Sequence, residues 1–130
     1  MATSYAPKCL AFGASGAITR GKGVKLSDAS TVAQVSASTD SVIGIAQNDV
    51  SSDDATAGVK CEVALPGGGS LALAKTTIAV GDLLGCNADG SLQKVAAQHE
   101  RVIAIAIQDA VAADIFGVHV VLAHATQAQS

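Results

Sequence analysis

The sequence predicts an all-β fold, a small barrel or sandwich built from two tandem pseudo-symmetric repeats of about 60 residues with an extended N-terminal arm. Three observations carry this expectation. Short apolar runs alternate with period two, as in GVKCEVAL (58–65) and GVHVVLAH (117–124). Turn residues separate those runs, the clearest being Asp89-Gly90, a strong short-range hairpin signal. Finally, the chain repeats itself: SVIGIAQND at 41–49 returns as RVIAIAIQD at 101–109.

A shift of 60 positions holds along most of the chain. Ala14 meets Ala74, Ile18 meets Ile78, Gly21 meets Gly81, Val35 meets Val95, and Ile45 meets Ile105. Asp49 meets Asp109 and Asp54 meets Asp114, after which one deletion brings Gly58-Val59 onto Gly117-Val118. The 130 residues therefore read as one domain. An arm (1–9) precedes repeat one (10–65), a Gly-rich turn (66–69), repeat two (70–124) and a polar tail (125–130).

The elements follow in order. In MATSYAPKCLAF, Pro7 and the small polar residues predict an extended arm that pairs with a neighbouring subunit's sheet edge; terminal fraying is the alternative. SDAS (27–30) is a weak turn between two strands. The next strand is apolar on both faces, Ile43 and Ile45 on one, Val42, Gly44 and Ala46 on the other, so it is expected to be buried on both sides. ATAG (55–58) has room for one helical turn. Val59, Cys61, Val63 and Leu65 then face one way, Lys60 and Glu62 the other. LPGGGS (65–70) predicts a flexible turn. Repeat two copies the plan. Ile103, Ile105 and Ile107 oppose Val102, Ala104 and Ala106, AVAAD (110–114) holds at most one turn, and the last strand points Val118, Val120 and Leu122 inward with His119, Val121 and Ala123 outward. The two doubly apolar strands are expected to meet near a pseudo-twofold axis, at the centre of one sheet or barrel.

Composition narrows the function. Charged residues make up 15% of the chain against about 25% typically, and the mean hydropathy is +0.41. Apolar surface in such excess predicts an oligomer or larger assembly. The net charge is −3 with Lys and Arg scattered singly, which excludes a clustered basic footprint for nucleic acid. No signal-peptide pattern opens the sequence, and Cys9, Cys61 and Cys86 share no short spacing, so they read as buried or free thiols. Residues 102–123 are hydrophobic enough to imitate a membrane helix, but Gln108, Asp109 and Asp114 interrupt them. An Asp at a helix centre costs about 2.5–3.5 kcal/mol on insertion, so two strands and a loop fit better.

Catalytic equipment is not evident. His119 and His124 are five apart, on opposite faces of a strand, and Cys61 and His119 point to opposite sides of equivalent strands. Asn48, Asp49, Asp53 and Asp54 resemble a calcium loop in composition but lack EF-hand spacing and its terminal Glu, and their recurrence favours an inherited turn. No serine lies in a GxSxG elbow, and PGGG lacks the phosphate-loop pattern. The chain is expected to be no enzyme, with no catalytic, cofactor-binding or metal residues. A small metal-dependent or Cys/His hydrolase is the rival.

The order and spacing of Val-Ile-Gly-Ile-Ala (42–46), Ala-Val-Gly-Asp (79–82), Asp-Gly (89–90) and the Gly-Val-x-Val strand from Gly117 resemble the small capsid cement, or head decoration, proteins of tailed bacteriophages. The likeness covers nearly the whole chain. It implies a virion structural protein, made in the host cytoplasm, that sits on the outer surface of the capsid. It also implies the major capsid protein and further copies of itself, as a homotrimer, for partners, with neither nucleic acid nor membrane. The family offers no catalytic residues to transfer. The candidate contact residues come from the chain alone: Tyr5, Pro7 and Lys8 on the arm, and Val121 and Ala123 on the last strand. A head-fibre base or tail component is the structural alternative.

Overall fold

A computed structural model of the chain describes residues 9–38, 40–95 and 101–124, the last three by backbone only. Repeat one forms β1 (Cys9–Ala14), β2 (Gly23–Leu26), β3 (Thr31–Gln34), β4 (Val42–Ala46) and β5 (Cys61–Ala64). They close into a barrel in the order β1-β3-β2-β4-β5. β5 returns to pair antiparallel with β1, whereas β1 and β3 run parallel through Gly13↔Thr31 and Ala14↔Val32. Closure leaves this small sheet no free edge. Its core holds Ile18, Val24, Val32, Val50, Cys61 and Val63, with Phe12 against them. Between β4 and β5 lies α1 (Ser52–Thr56), one short turn set by a capping box in which Ser51 and Asp54 satisfy each other's backbone N–H.

Repeat two forms β6 (Gly69–Leu73), β7 (Leu83–Cys86), β8 (Leu92–Lys94), β9 (Arg101–Ala106) and β10 (Ile115–His124), ordered β6-β10-β9-β7-β8. Read as β1-β5-β4-β2-β3, the barrel has the same order. The duplication extends to single contacts. The bridge Ile18↔Val50 recurs as Ile78↔Ala110, and the pair Ala14↔Val32 as Ala74↔Leu92. Gly90, at φ +89°, supplies the left-handed residue of the β7–β8 hairpin. Residues 102–123 are β9, a turn and β10.

The structure corrects the repeat alignment at its end. Cys61 pairs with Phe12 and Glu62 with Ala11; Phe116 pairs with Ala72 and Gly117 with Leu71. Gly117 therefore stands where Glu62 does, not where Gly58 does. Repeat two reaches this strand by the single residue Ile115 where repeat one spends residues 55–60, so the end of α1 and Gly58 have no counterpart.

The faces of the doubly apolar strand also differ from strict alternation. β2 and β4 pair as Gly23↔Ile45, Val24↔Gly44 and then Lys25↔Val42, so β4 carries an extra residue. Such a bulge flips the sequence onto a new phase. Val42 and Ile45 join one apolar cluster while Ile43 packs with the barrel interior. Repeat two behaves alike: Ile103 lies in the core, and Val102 sits in a separate cluster with Val95. The PGGG join is also better fixed than its composition predicts, since Gly67 N donates to Val120 O and Val120 N donates to Gly68 O.

The expected meeting of core strands at a pseudo-twofold axis is replaced by a one-way wedge. In repeat one, Gly13 N donates to Ser30 O at 3.0 Å and helps close the barrel. The equivalent groups of repeat two bond to repeat one instead: Leu73 N donates to Gly21 O at 2.9 Å, and Gly23 N donates to Gly90 O at 2.8 Å. Gly21-Lys22-Gly23 thus enters the seam between β6 and the β7–β8 turn. A Cβ on Gly23 would overlap Cys86 Sγ, so only glycine fits. Val35, Val42, Ile45 and Ala64, on the outside of the barrel, then complete the core of repeat two around Leu84, Leu92, Ile103 and Phe116. Burying a side chain of the size of Phe116 contributes roughly 1.5–3 kcal/mol. Gly81, the partner of Gly21 in the repeat, makes no reciprocal contact among the described residues and faces open space.

Candidate functional site

The acidic loops are structural turns. Asp49 Oδ1 accepts from Arg20 N at 2.7 Å, and its counterpart Asp109 Oδ1 accepts from Val80 N at 2.8 Å. Asp54 accepts from Ser51 N and Asp114 from Val111 N in the same way. Asn48 ties β4 to β5 by accepting from Glu62 N and donating to Lys60 O. Asp54 and Asp114 thereby close their own turns, while Asp49 and Asp109 each tie down a loop 29 residues away. A shallow depression of about 440 Å³ lies over the repeat-two loop, lined by Thr77, Ile78, Val111 and both aspartates. Among the described residues, no three His, Cys, Asp or Glu side chains converge as a metal group would require.

Nor does the fold bring Cys61 and His119 together. Cys61 is buried on β5 in the barrel, and His119 is exposed on β10 of the other sheet. Burial, and secondarily the charge of Glu62, pushes the Cys61 thiol up to about 11. Cys86, buried beneath the wedge, is pushed up to about 12, chiefly by burial. Both stay protonated at neutral pH, the form that is a poor nucleophile. His99 lies outside the described residues, as does the side chain of His124.

Two short polar systems hold the surface loops. Asp40 accepts from Lys25 Nζ at 2.8 Å and from the backbone of Ser36 and Ala37; the lysine first, then those amides, hold its carboxyl down at about 2. Asp89 accepts from the hydroxyl and backbone of Ser91 and from Lys75 Nζ, which hold it at about 2 as well.

Part of the surface is apolar. On the outer face of repeat two, Leu71 (47% exposed), Ile107 (57%) and Ile115 (40%) surround Gly117, where a Cβ would touch the Ile107 side chain. At the open end of the barrel, Leu10 is 55% and Leu26 48% exposed. Sequence reasoning did not single these residues out, because alternation alone placed Ile107 with Ile103 and Ile105. The available signal was the repeat itself: Ile107 aligns with a polar residue, Gln47, and Leu10 with Ser70. Of the candidate contact residues, Val121 is half-buried and packs on Val95, Val102 and Leu83, not outward. A register shift between Val120 and Ala123 against β9 breaks the alternation there. Ala123 pairs by backbone with Val102, but its side chain lies outside the described residues, as do Tyr5, Pro7 and Lys8. No helix among the described residues is long and apolar enough to cross a membrane.

No protein-family model matches the sequence, and no curated protein matches it either. The fold is similar to that of the head fiber gp8.5 N base in bacteriophage phi29, with a TM-score of 0.65 and 17% sequence identity over 86% of this chain and 92% of that one.

Proposed function

We propose that the chain is a virion structural protein of a tailed phage, a capsid cement or decoration subunit that binds the outside of the head and braces the major capsid protein lattice. The observation that supports a virion structural protein is the fold shared, nearly end to end, with a phage head fiber base; the cement assignment within that class rests on the motifs. The resemblance of its motifs to cement proteins points the same way. A cement subunit needs surface, not chemistry; Cys61 and Cys86 are buried, and Asp49, Asp54, Asp109 and Asp114 accept from backbone N–H groups. Many copies convert a modest contact into firm retention. Self-association as a homotrimer, with the arm reaching to a neighbour, completes the proposal; it includes no catalysis and no cofactor.

A second reading, a head-fibre base, is favoured by the identity of the similar structure. Adding purified protein to bare expanded heads separates the two. A cement subunit raises the temperature at which heads rupture; a fibre base binds and leaves that temperature unchanged. Absence of binding to heads would sink both. Deleting residues 2–8 should lower head occupancy without changing the circular dichroism spectrum, and unchanged occupancy would count against the arm.

A further inference from the structure

The packing of repeat one on repeat two is one-way, so each repeat is left with a face that its counterpart has already used. The outer face of repeat one, with Ile45 and Gln47, covers the open end of repeat two, with Ser70 and Cys86. The corresponding outer face of repeat two carries Ile105 and Ile107, and the corresponding open end of repeat one carries Leu10 and Leu26. Within the chain, Gln47 Nε2 donates to Ser70 Oγ at 2.7 Å. At the equivalent unused positions both residues are apolar and more than half exposed, Ile107 at 57% and Leu10 at 55%. A polar pair has become an apolar one on two surfaces that do not meet within one chain. Likewise Cys86 is buried at 8%, while Leu26 is 48% exposed.

We propose that a second copy of this chain docks its barrel end, at Leu10 and Leu26, onto the outer face of repeat two around Ile105 and Ile107. The contact is head-to-tail, a heterologous interface that closes into a ring or runs on as a chain. It cannot copy the internal wedge. Leu83 stands where Gly23 does, and Gly13 N already bonds Ser30 O, so the receiving seam is shut. The contact between copies is therefore made by side chains, and assembly depends on concentration. This deepens the proposed self-association by naming its surfaces, and it concerns the free protein, so it stands or falls independently of head binding.

Light scattering behind a sizing column tests it on the full chain without heads. Wild type should show a mass that is a multiple of 12.8 kDa and rises with concentration to a plateau for a ring, or without limit for an open chain. Ile107→Lys and Leu10→Glu, both at exposed positions, should each reduce the mass to 12.8 kDa with an unchanged circular dichroism spectrum. Mixing the two variants should restore association, because each still carries the half that the other lacks. A wild type that stays monomeric at millimolar concentration overturns the proposal. So does a single variant that keeps the wild-type mass, as one of the two would if copies met two-fold through either patch, or a mixture that stays monomeric.

Discussion

Gly23→Ala perturbs the wedge alone. The backbone of Gly23 lies outside the left-handed region, so alanine carries no conformational penalty there, and the effect is steric. The added methyl would overlap Cys86 Sγ, while Val42 Cγ1 at 3.4 Å and Val35 Cγ2 at 3.5 Å would be in ordinary contact and leave it little room to shift. Overpacking of a dense core costs about 1–3 kcal/mol. Shifting the segment also loosens the Gly23 N to Gly90 O bond, a further contribution of about 0.5–1.5 kcal/mol. The sum is about 1.5–4.5 kcal/mol, which for a chain of this length lowers the melting temperature by about 10 °C at mid-range. Thermal unfolding followed by circular dichroism gives the number. Cys86→Ala, which removes the clashing sulfur, should recover at least about 1 kcal/mol in the double variant relative to additivity. Gly81→Ala is the control. It meets no atom within 4 Å but sits at φ +90°, so its cost of about 1–2 kcal/mol is backbone strain and should not couple to Cys86. A Gly23→Ala protein that melts within about 2 °C of wild type, or shows no coupling to Cys86, would refute the wedge.

Three further outcomes follow from the polar and thiol groups. Asp40 and Asp89 both have carboxyls held near 2 against an ordinary 3.8, so their contribution is complete above about pH 4 and is lost as the pH falls through 2. Melting temperature should drop over that window, and Asp89→Asn should flatten the drop. In native protein at pH 8, Cys61 and Cys86 should stay silent to a thiol reagent such as Ellman's and react only in denaturant; fast modification of either would contradict its burial. Asp49→Ala and Asp109→Ala should each destabilise by about 1 kcal/mol, and the double variant by their sum, since the two turns lie in separate sheets. Urea titration measures all three.

The fold was legible in the sequence to the extent that it repeats. The 60-residue shift relates strands of the two sheets, and Asp89-Gly90 marked its hairpin, because local turn chemistry and periodicity suffice for such features. Two things lay beyond alternation. A bulge at β4 turned Ile43 inward beside Gly44, and only pairing partners reveal a bulge. The strand equivalence at Cys61 and Phe116 was hidden because six residues of loop and helix in repeat one shrink to one in repeat two. The one-way packing did leave a trace, Gly-Lys-Gly at 21–23 against Gly-Asp-Leu at 81–83. That mismatch registers as a lost glycine, and its meaning appears only once Cys86 is seen above Gly23. For the candidate surfaces, the signal was again difference between repeats, Ile107 for Gln47 and Leu10 for Ser70, where attention to matches passes over it.

The wedge also gives the chain a direction in time. The barrel of repeat one closes with its own hydrogen bonds and encloses its own apolar cluster, and every residue it needs precedes the PGGG join. Repeat two cannot complete its core without Val35, Val42, Ile45 and Ala64 from the half made earlier. On a ribosome, where N-terminal units fold first, the second sheet therefore emerges beside a finished template that holds its seam open and fills it. A gene with the repeats in the opposite order would encode the same residues and lose that sequence of events.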